Sequence, residues 1–551
     1  MAQVISLTSN LRRKAAHTSA DEPRPPVGRF TRPATPPEPR RIVWTKFDTN
    51  TTTIIIGLWT LITRFVGLNS AVADGTPVFD EKHYVPQAWD MVNSWVNPLI
   101  GGIESNPGYG LVVHPPLAKQ IEAYGELIFG YTALGWRIMA ALFGTATVLL
   151  IMNLARQLTG SSVIAAFAGI LALFDGVLLI TSRFGMLDIF QTLFIVGAAY
   201  CLARDYNQMR VRLHQAWLAG GLGTHRFGPR FGFRWWRFGG GVCLGLALSV
   251  KWSGLYYMAF FGLMTVLFDV YLRHRYQVKQ PILGTLVRDT IAAFCSIVIL
   301  PIALYAWSWR AWFTSETSIY RHVDTWKDVA INNHDFAPDS WVFRLPEALA
   351  SWIYYHKSVL AFHASLTTSA GHVHPWDSKP WSWLVSGRPI LYYSVTDIHC
   401  GESTCRRMIY LFGTPAIWWL TIPIILWSLW RTIIRKDLRL IIPLVSFAAG
   451  FLPWLAAYDR QMYFFYATPL IPFTIIMIAI GLGELIPLGK RLKIPAIFHK
   501  IGTETTTVGG LIVALYLGLV VAMFVYFSPI LYGYTIPDTL YETLMWIPSW
   551  R

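Results

Sequence analysis

Four uninterrupted apolar stretches constrain this chain more than any other feature. "TTTIIIGLWTLI", "FCSIVILPIALYAW", "GTPAIWWLTIPIILWSLW" and "GGLIVALYLGLVVAMFVYF" approach or reach the roughly 20 residues that cross a bilayer. One such block is compatible with a buried core helix. A series of them, punctuated by short basic loops, calls for a polytopic membrane protein. Composition agrees: 54% of the 551 residues are hydrophobic and 14% are charged, against about 25% charged in an ordinary soluble domain.

The apolar segments near 53–70, 132–157, 161–181, 185–203, 238–250, 254–272, 287–308, 409–430, 439–457, 461–485 and 507–529 predict an all-α membrane protein with about eleven spans. The span at 238–250 is short, and "SVKWSG" after it reads as a re-entrant break. The net charge of +15 suggests nucleic acid at first sight, but its placement favours topology. Arg204, Arg210, Arg212, Arg226, Arg230, Arg234 and Arg237 share one interval between apolar blocks. Arg273, Arg275, Lys279 and Arg288 share another, Arg431, Arg435, Lys436 and Arg439 a third, and Lys490, Arg491, Lys493 and Lys500 a fourth. With the N-terminus inside, all four intervals fall on the cytoplasmic side, as the positive-inside rule expects.

Residues 1–45 are rich in Pro, Arg, Ser and Thr and read as a disordered basic cytoplasmic tail. They contain no apolar run, so no cleavable signal peptide is expected and the first span serves as its own insertion signal. Residues 46–551 form the transmembrane domain. Within it two long segments, roughly 71–131 and 309–408, fall outside. Cys400 and Cys405 of "HCGESTC" lie in the second, where either a disulfide or two free thiols fits. Cys201, Cys243 and Cys295 lie in apolar segments as small packing residues.

The first external segment holds "GTPVFDEKHYVPQAWD", with Asp80 and Glu81 side by side at the membrane boundary. Arg64 of "LITRFVGLNS" and Arg137 of "LGWRIMAALFG" are expected at similar depth. Charges in spans usually face a cavity or a partner, although one arginine near a helix end also fits simple snorkelling. "VVHPPLAKQ" adds His114 and Lys119, "RFGMLDIF" adds Arg183 and Asp188, "SVKWSG" adds Lys251, and "AAYDRQMYFFY" adds Asp459 and Arg460. An ion pair at a helix end accounts equally for Arg183 and Asp188, and a solvated turn for Asp459 and Arg460. A carboxylate takes a proton from an attacking hydroxyl, and arginine neutralises a phosphate leaving group. The inventory therefore fits group transfer from a lipid-borne phosphate to an external hydroxyl. The glycines of "GGGVCLGLALS" read as helix-packing glycines.

With "VFDEKHY", "HPPLAKQ", "GWRIMAALFGT", "RFGMLDIF", "SGLYY", "HPWDSKPWSWLVSGRPILYY", "LFGTPAIWWL" and "DRQMYFFYATPLIPF" in order from about 50 to 485, the chain resembles the protein O-mannosyltransferases, most closely the short actinobacterial form. The resemblance implies the multi-spanning GT-C glycosyltransferase architecture in the cell membrane. Residues 309–408 are too short for the β-trefoil domain that eukaryotic members insert there, and Thr414 stands where many relatives are expected to carry Asn. The implied reaction moves mannose, with inversion, from polyprenyl-phosphate mannose to Ser or Thr hydroxyls of exported polypeptides. The resemblance assigns Asp80 as general base, Glu81 to orient the acceptor or its neighbours, and Arg64 and Arg137 to organise the acidic pair and the donor phosphate. Arg64, Arg137, His114, Lys119 and Arg460 are the implied donor phosphate and sugar site, and His374, Trp376, Trp381 and Trp383 an acceptor or loop site. No cofactor is firmly implied. His114, His372 and His374 are the candidates for a divalent cation, but they lie far apart and lack zinc-type spacing.

Two rivals are weighed against this reading. A sibling transferase of the same fold would move another lipid-linked sugar, such as an arabinose, to a glycan or lipid; the 309–408 motifs favour a protein acceptor. A transporter would typically show repeated halves, and no convincing internal repeat is visible. Acceptor identity, lipid length, oligomeric state and pairing with the secretion translocon are not legible in the sequence.

Overall fold

The computed structural model describes residues 46–69, 75–93, 113–220, 222, 225–316, 318–322, 340–493 and 505–551. The expected tail at 1–45 lies outside them. The first helix, α1 (Lys46–Phe65), is followed by two short helices, α2 (Glu81–Asn93) and α3 (Leu117–Phe129). Then come α4 (Ala133–Thr159), α5 (Ser162–Leu173), α6 (Gly176–Thr181), α7 (Leu187–Leu218), α8 (Trp235–Val250) and α9 (Gly254–Arg275). The chain continues through α10 (Pro281–Ser308), α11 (Glu347–Ser365), α12 (Pro415–Ile434), α13 (Leu438–Ala456), α14 (Ile471–Leu485) and α15 (Val508–Tyr532).

Among the described residues, α4, α7, α9, α10, α12, α13 and α15 are long and apolar enough to cross a membrane. Of the remaining expected spans, those at 161–181, 238–250 and 461–485 correspond to shorter helices, whereas α1, with 20 residues, is long enough but carries a polar first half. α7 is the most enclosed, whereas α10, α12 and α15 turn most of their surface outward. Their outward residues, such as Ile291, Phe294, Leu426, Leu515 and Val525, are large and apolar. In water such a surface would aggregate; in hydrocarbon it is the solvent-facing side.

Where helices meet, the sequence provides the clearance. A β-carbon on Gly241 of α8 would fall 1.8 Å from the Ser296 carbonyl oxygen of α10, and one on Gly245 would fall 2.9 Å from Pro301. These are the packing glycines expected from the "GGGVCLGLALS" run. At the far end of α7, Arg234 bridges Asp205 (2.8 Å) and Asp269 (2.8 Å), and Arg273 holds Asp289 (2.9 Å). Arg234 and Arg273, counted above as loop cations, are thus partners of buried carboxylates that tie α7, α9 and α10 together.

The chain departs from the expected spans in two places and breaks between α8 and α9 as expected. The segment at 161–181 is divided after Leu173 because "FDG" stops it. Asp175 Oδ1 accepts the Leu178 amide (2.9 Å) as an N-cap and restarts the chain as α6. Thr414 fastens this break: its Oγ1 donates to the Phe174 carbonyl (2.7 Å) and accepts the Gly176 amide (3.2 Å). α8 ends at Val250 and α9 begins at Gly254, with Lys251 extended between them, as the "SVKWSG" break suggested.

The second departure is a small antiparallel sheet in an otherwise helical fold. β1 (Ile390–Cys400) pairs with β2 (Ser403–Leu411) from Ile390–Leu411 to Cys400–Ser403. A short hairpin of β3 (Arg491–Lys493) and β4 (Thr505–Thr507) stands apart, while β5 (Thr535–Pro537) extends the first sheet along β2. The span expected from 409 therefore starts only at Pro415, the first residue of α12, where a missing amide hydrogen costs nothing. Cys400 and Cys405 form a disulfide across the hairpin turn, with α-carbons 5.9 Å apart.

Candidate active site

The acidic pair sits on a strained turn. Phe79 adopts a left-handed backbone (φ 52°), a conformation that costs a non-glycine residue about 1 kcal/mol or more. Its ring stacks on Tyr392 at 4.5 Å, which holds the turn against the sheet. Directly after it, α2 begins at Glu81.

Glu81 is fully buried and every lone pair it presents is used. Oε1 accepts Arg137 Nε (2.7 Å) and the Gly185 amide (2.8 Å), and Oε2 accepts Arg137 Nη2 (2.7 Å) and the Val78 amide (3.1 Å). Arg137 closes the arrangement by donating to the Leu68 carbonyl (3.0 Å) and covering the Phe184 ring at 4.4 Å. This is a bidentate pair with its remaining valences satisfied, the geometry in which a buried ion pair is tolerated.

Asp80 differs from its neighbour. It keeps part of its surface open, and its carboxylate accepts no hydrogen bond from the described residues. Burial pushes it up to about 6; the charge of Lys251 works against that rise and Asp188 adds to it. A carboxyl group with a proton affinity near neutrality and an unused lone pair is equipped to accept a proton.

The neighbouring cavity, of about 370 Å³, lies between the start of α7, the α8–α9 break, α11 and the end of α13. Asp188 and Lys251 on its wall are bonded at 2.8 Å. Gln191 steadies the break by donating to the Lys251 carbonyl (3.0 Å) while accepting Ser253 Oγ (3.1 Å). Across the cavity, Arg460 Nη2 donates to His363 Nδ1 (3.0 Å). Burial, with Arg460 and Lys251 nearby, lowers His363 to about 4. Burial beside Lys251 and His363 likewise holds His114 well below the usual histidine range. Both rings are therefore neutral at pH 7, and the positive charge of the wall rests on Lys251 and Arg460. Tyr256, Trp454, Tyr466 and Leu360 also line it.

The "HPWDSKPW" segment supports this cavity from behind. Asp377 Oδ1 accepts the Met462 amide (2.9 Å), the Ser378 amide donates to the Met462 carbonyl (2.8 Å), and Lys379 Nζ donates to the Arg460 carbonyl (2.9 Å). His374 packs edge-on against Tyr463 at 5.3 Å. Trp383 is buried, donates to Ser378 Oγ (2.9 Å) and contacts Tyr466 edge-on at 6.0 Å. Trp376 lies under Arg388 at 5.0 Å, and Trp381 is exposed. Trp383 thus holds a cavity wall in place instead of presenting a surface to an acceptor.

Several further expectations are revised. Arg64 does not bond the acidic pair. It donates to the Leu173 (3.0 Å) and Ala172 (3.2 Å) carbonyls, which the end of α5 leaves unpaired. Arg183 makes no ion pair with Asp188; it donates to the Val66 (2.6 Å) and Gly67 (3.0 Å) carbonyls after α1. Lys119 points to Gln87 Oε1 (3.0 Å) and the His114 carbonyl (3.2 Å), so it fixes the loop that carries His114. Asp459 is no plain solvated turn residue: its carboxylate takes hydrogen bonds from Ser369. No group of three His, Cys, Asp or Glu residues among those described converges on a metal-sized site. His114 has the rings of His363 at 5.9 Å and Tyr84 at 6.0 Å as neighbours. His363 and Gln191 escaped the sequence reading: no motif surrounds His363 on α11, and Gln191 lies just past the end of "RFGMLDIF".

Comparison with known proteins covers nearly the whole chain. The family profile described as dolichyl-phosphate-mannose-protein mannosyltransferase matches residues 89–314. A second, described as the C-terminal four TMM region of protein-O-mannosyltransferase, matches 348–550. The polyprenol-phosphate-mannose–protein mannosyltransferase of Corynebacterium glutamicum is 62% identical over 94% of this chain and 96% of its own. That of Mycobacterium tuberculosis is 44% identical over 90% and 92%. Among solved structures, the S. cerevisiae protein O-mannosyltransferase Pmt1-Pmt2 complex bound to the sugar donor matches with a TM-score of 0.65. It covers 93% of both chains at 15% identity, which speaks to the fold alone.

Proposed function

Because the chain belongs to the protein O-mannosyltransferase family, we propose that it moves mannose from polyprenyl-phosphate mannose to Ser or Thr hydroxyls of exported polypeptides at the outer face of the cell membrane. The observation that carries the site assignment is the contrast within the acidic pair. Glu81 is saturated and buried, whereas Asp80 is unbonded among the described residues and lies beside the cationic cavity.

The residues divide the work as follows. The donor phosphate lies against Lys251 and Arg460, with its apolar chain along Tyr256, Leu360 and Trp454. Asp80 accepts the proton of the acceptor hydroxyl as its oxygen attacks the anomeric carbon. The bond from that carbon to the phosphate oxygen breaks, and its electron pair leaves with the phosphate. The developing negative charge meets cations already in place, so no reorganisation is needed at the moment of reaction. The leaving group needs no protonation, so one carboxylate suffices, and single displacement inverts the β-linked donor to an α-mannosyl product. Glu81 and Arg137 are positioning residues for Asp80. The positive-inside distribution of the basic loops supports a cytoplasmic N-terminus and a site on the opposite side.

The direct test supplies membranes containing the protein with polyprenyl-phosphate mannose and a Ser/Thr-rich peptide, then weighs the peptide. Addition of one hexose is expected. No addition from mannose donor, with transfer from a polyprenyl-phosphate arabinose instead, would overturn the sugar assignment.

The pH dependence follows from Asp80. The active form is the carboxylate, and its proton affinity is raised to about 6. Activity should therefore be flat above that value and fall as pH drops through it, by about tenfold per unit. A kcat/KM profile from pH 5 to 8 that shows no acid limb near 6 would count against Asp80 as the base.

A further inference from the structure

A second cavity lies at the opposite ends of the same helices. α7, α9 and α13 each contribute to both cavities: Asp188, Tyr256 and Trp454 line the first, and Tyr206, Phe268 and Ile442 the second. Along α7 the separation from Asp188 to Tyr206 is about 27 Å at 1.5 Å per residue, close to the thickness of a hydrocarbon core.

This second cavity, of about 590 Å³, is ringed by Arg210, Arg431, Arg435, Lys436 and Arg439. Arg431 and Arg439 share the carboxylates of Asp437 (3.1 and 2.8 Å) and Glu484 (3.4 and 2.6 Å). Arg210, Arg435 and Lys436 have no carboxylate partner among the described residues, and Arg210 Nε is buried without a hydrogen bond. Three cations without a carboxylate partner on one rim make the cavity favourable for an anion.

The anion's remaining chemistry is set by the neighbouring groove. An apolar cavity of about 270 Å³ runs between α9 and α13, lined by Phe260, Leu263, Met264, Leu267, Tyr271 and Ile441 among others. It shares Phe268 and Leu438 with the basic cavity, so the two adjoin. A free phosphate ion would leave the groove empty, and a neutral lipid would leave the cations unpaired. We propose that this composite site binds one anionic phospholipid of the bilayer, its phosphate against Arg210 and Lys436 and an acyl chain between α9 and α13. Bound there, it would clamp three helices that also build the catalytic cavity. The mannosyl-transfer reading is not needed for it.

The test uses the detergent-purified full chain, titrated with phosphatidylglycerol, phosphatidylcholine, a polyprenyl phosphate and inorganic phosphate, with bound species counted by native mass spectrometry. One phosphatidylglycerol should bind in preference to phosphatidylcholine. Each cation facing an anionic lipid contributes about 1 kcal/mol, so Arg210→Gln with Lys436→Gln should weaken phosphatidylglycerol about 30-fold. Met264→Trp should weaken it by filling the groove, with the charges intact. Both variants lie away from Asp80 and should retain peptide mannosylation. Equal binding of the two phospholipids overturns the proposal, as does an unchanged affinity in the charge variant. Competition by inorganic phosphate at matching concentration would reduce the site to an anion pocket. Preference for polyprenyl phosphate would reassign it to the carrier lipid. The comparison of lipids on unaltered protein stands even if a variant fails to fold.

Discussion

Asp80→Asn is expected to abolish mannosyl transfer while leaving the protein inserted and folded. Asparagine matches aspartate in shape, and Asp80 makes no side-chain hydrogen bond among the described residues that the change would break. Its removal also lifts the burial cost of a carboxylate whose proton affinity is already raised to about 6. The melting temperature should therefore hold or rise slightly. The chemistry loses its proton acceptor, and general-base catalysis commonly supplies about 10²–10⁴ in rate. The measurement is peptide mannosylation at saturating donor, with donor affinity followed separately. Loss of kcat with donor affinity retained is the expected pattern. Equal turnover by both proteins would remove Asp80 from the reaction.

The second large effect concerns Glu81→Gln, and here stability should fall as well as rate. The substitution leaves Arg137 as a buried charge facing a neutral amide, and one amide hydrogen now points where Arg137 or a backbone amide donates. Breaking a buried pair on one side typically costs about 3–5 kcal/mol. The loss is local to the turn of Val78, Phe79 and Asp80, because Glu81 Oε2 anchors the Val78 amide and the left-handed Phe79 depends on that anchor. Activity should therefore drop although Asp80 is intact. The double variant Glu81→Gln with Arg137→Met separates the two effects. Removing both charges relieves the unpaired one, so much of the melting temperature should return. Activity should not return, since the introduced methionine has no donor to orient the turn. Recovery of both together would mean that the pair serves stability alone.

The candidate site was legible in part, and the residues show why. "VFDEKHY" marks Asp80 and Glu81 because adjacent carboxylates at a membrane boundary are expensive enough to need a reason. The same cost argument singles out Arg64, Arg137 and Arg183, but it cannot say what each arginine touches. Arg137 takes Glu81, while Arg64 and Arg183 close the carbonyl ends of helices. All three uses satisfy the same energetic requirement. Likewise "HPWDSKPW" stands out as a motif, yet its hydrogen bonds to Arg460 and Met462 make it a brace for Arg460. His363 carries no local signal at all.

Membrane embedding was determined by the sequence alone, because transfer into hydrocarbon depends on the length and composition of each segment by itself. The break at "SVKWSG" and the packing glycines of α8 belong to the same class: each reflects the conformational or steric properties of a few adjacent residues. Only the tertiary structure decided which charges meet. Glu81 finds Arg137 across 56 residues, Asp188 finds Lys251 across 63, and His363 finds Arg460 across 97. Those partners are chosen by helix packing, since a buried charge must be neutralised by whatever group the fold brings within bonding distance.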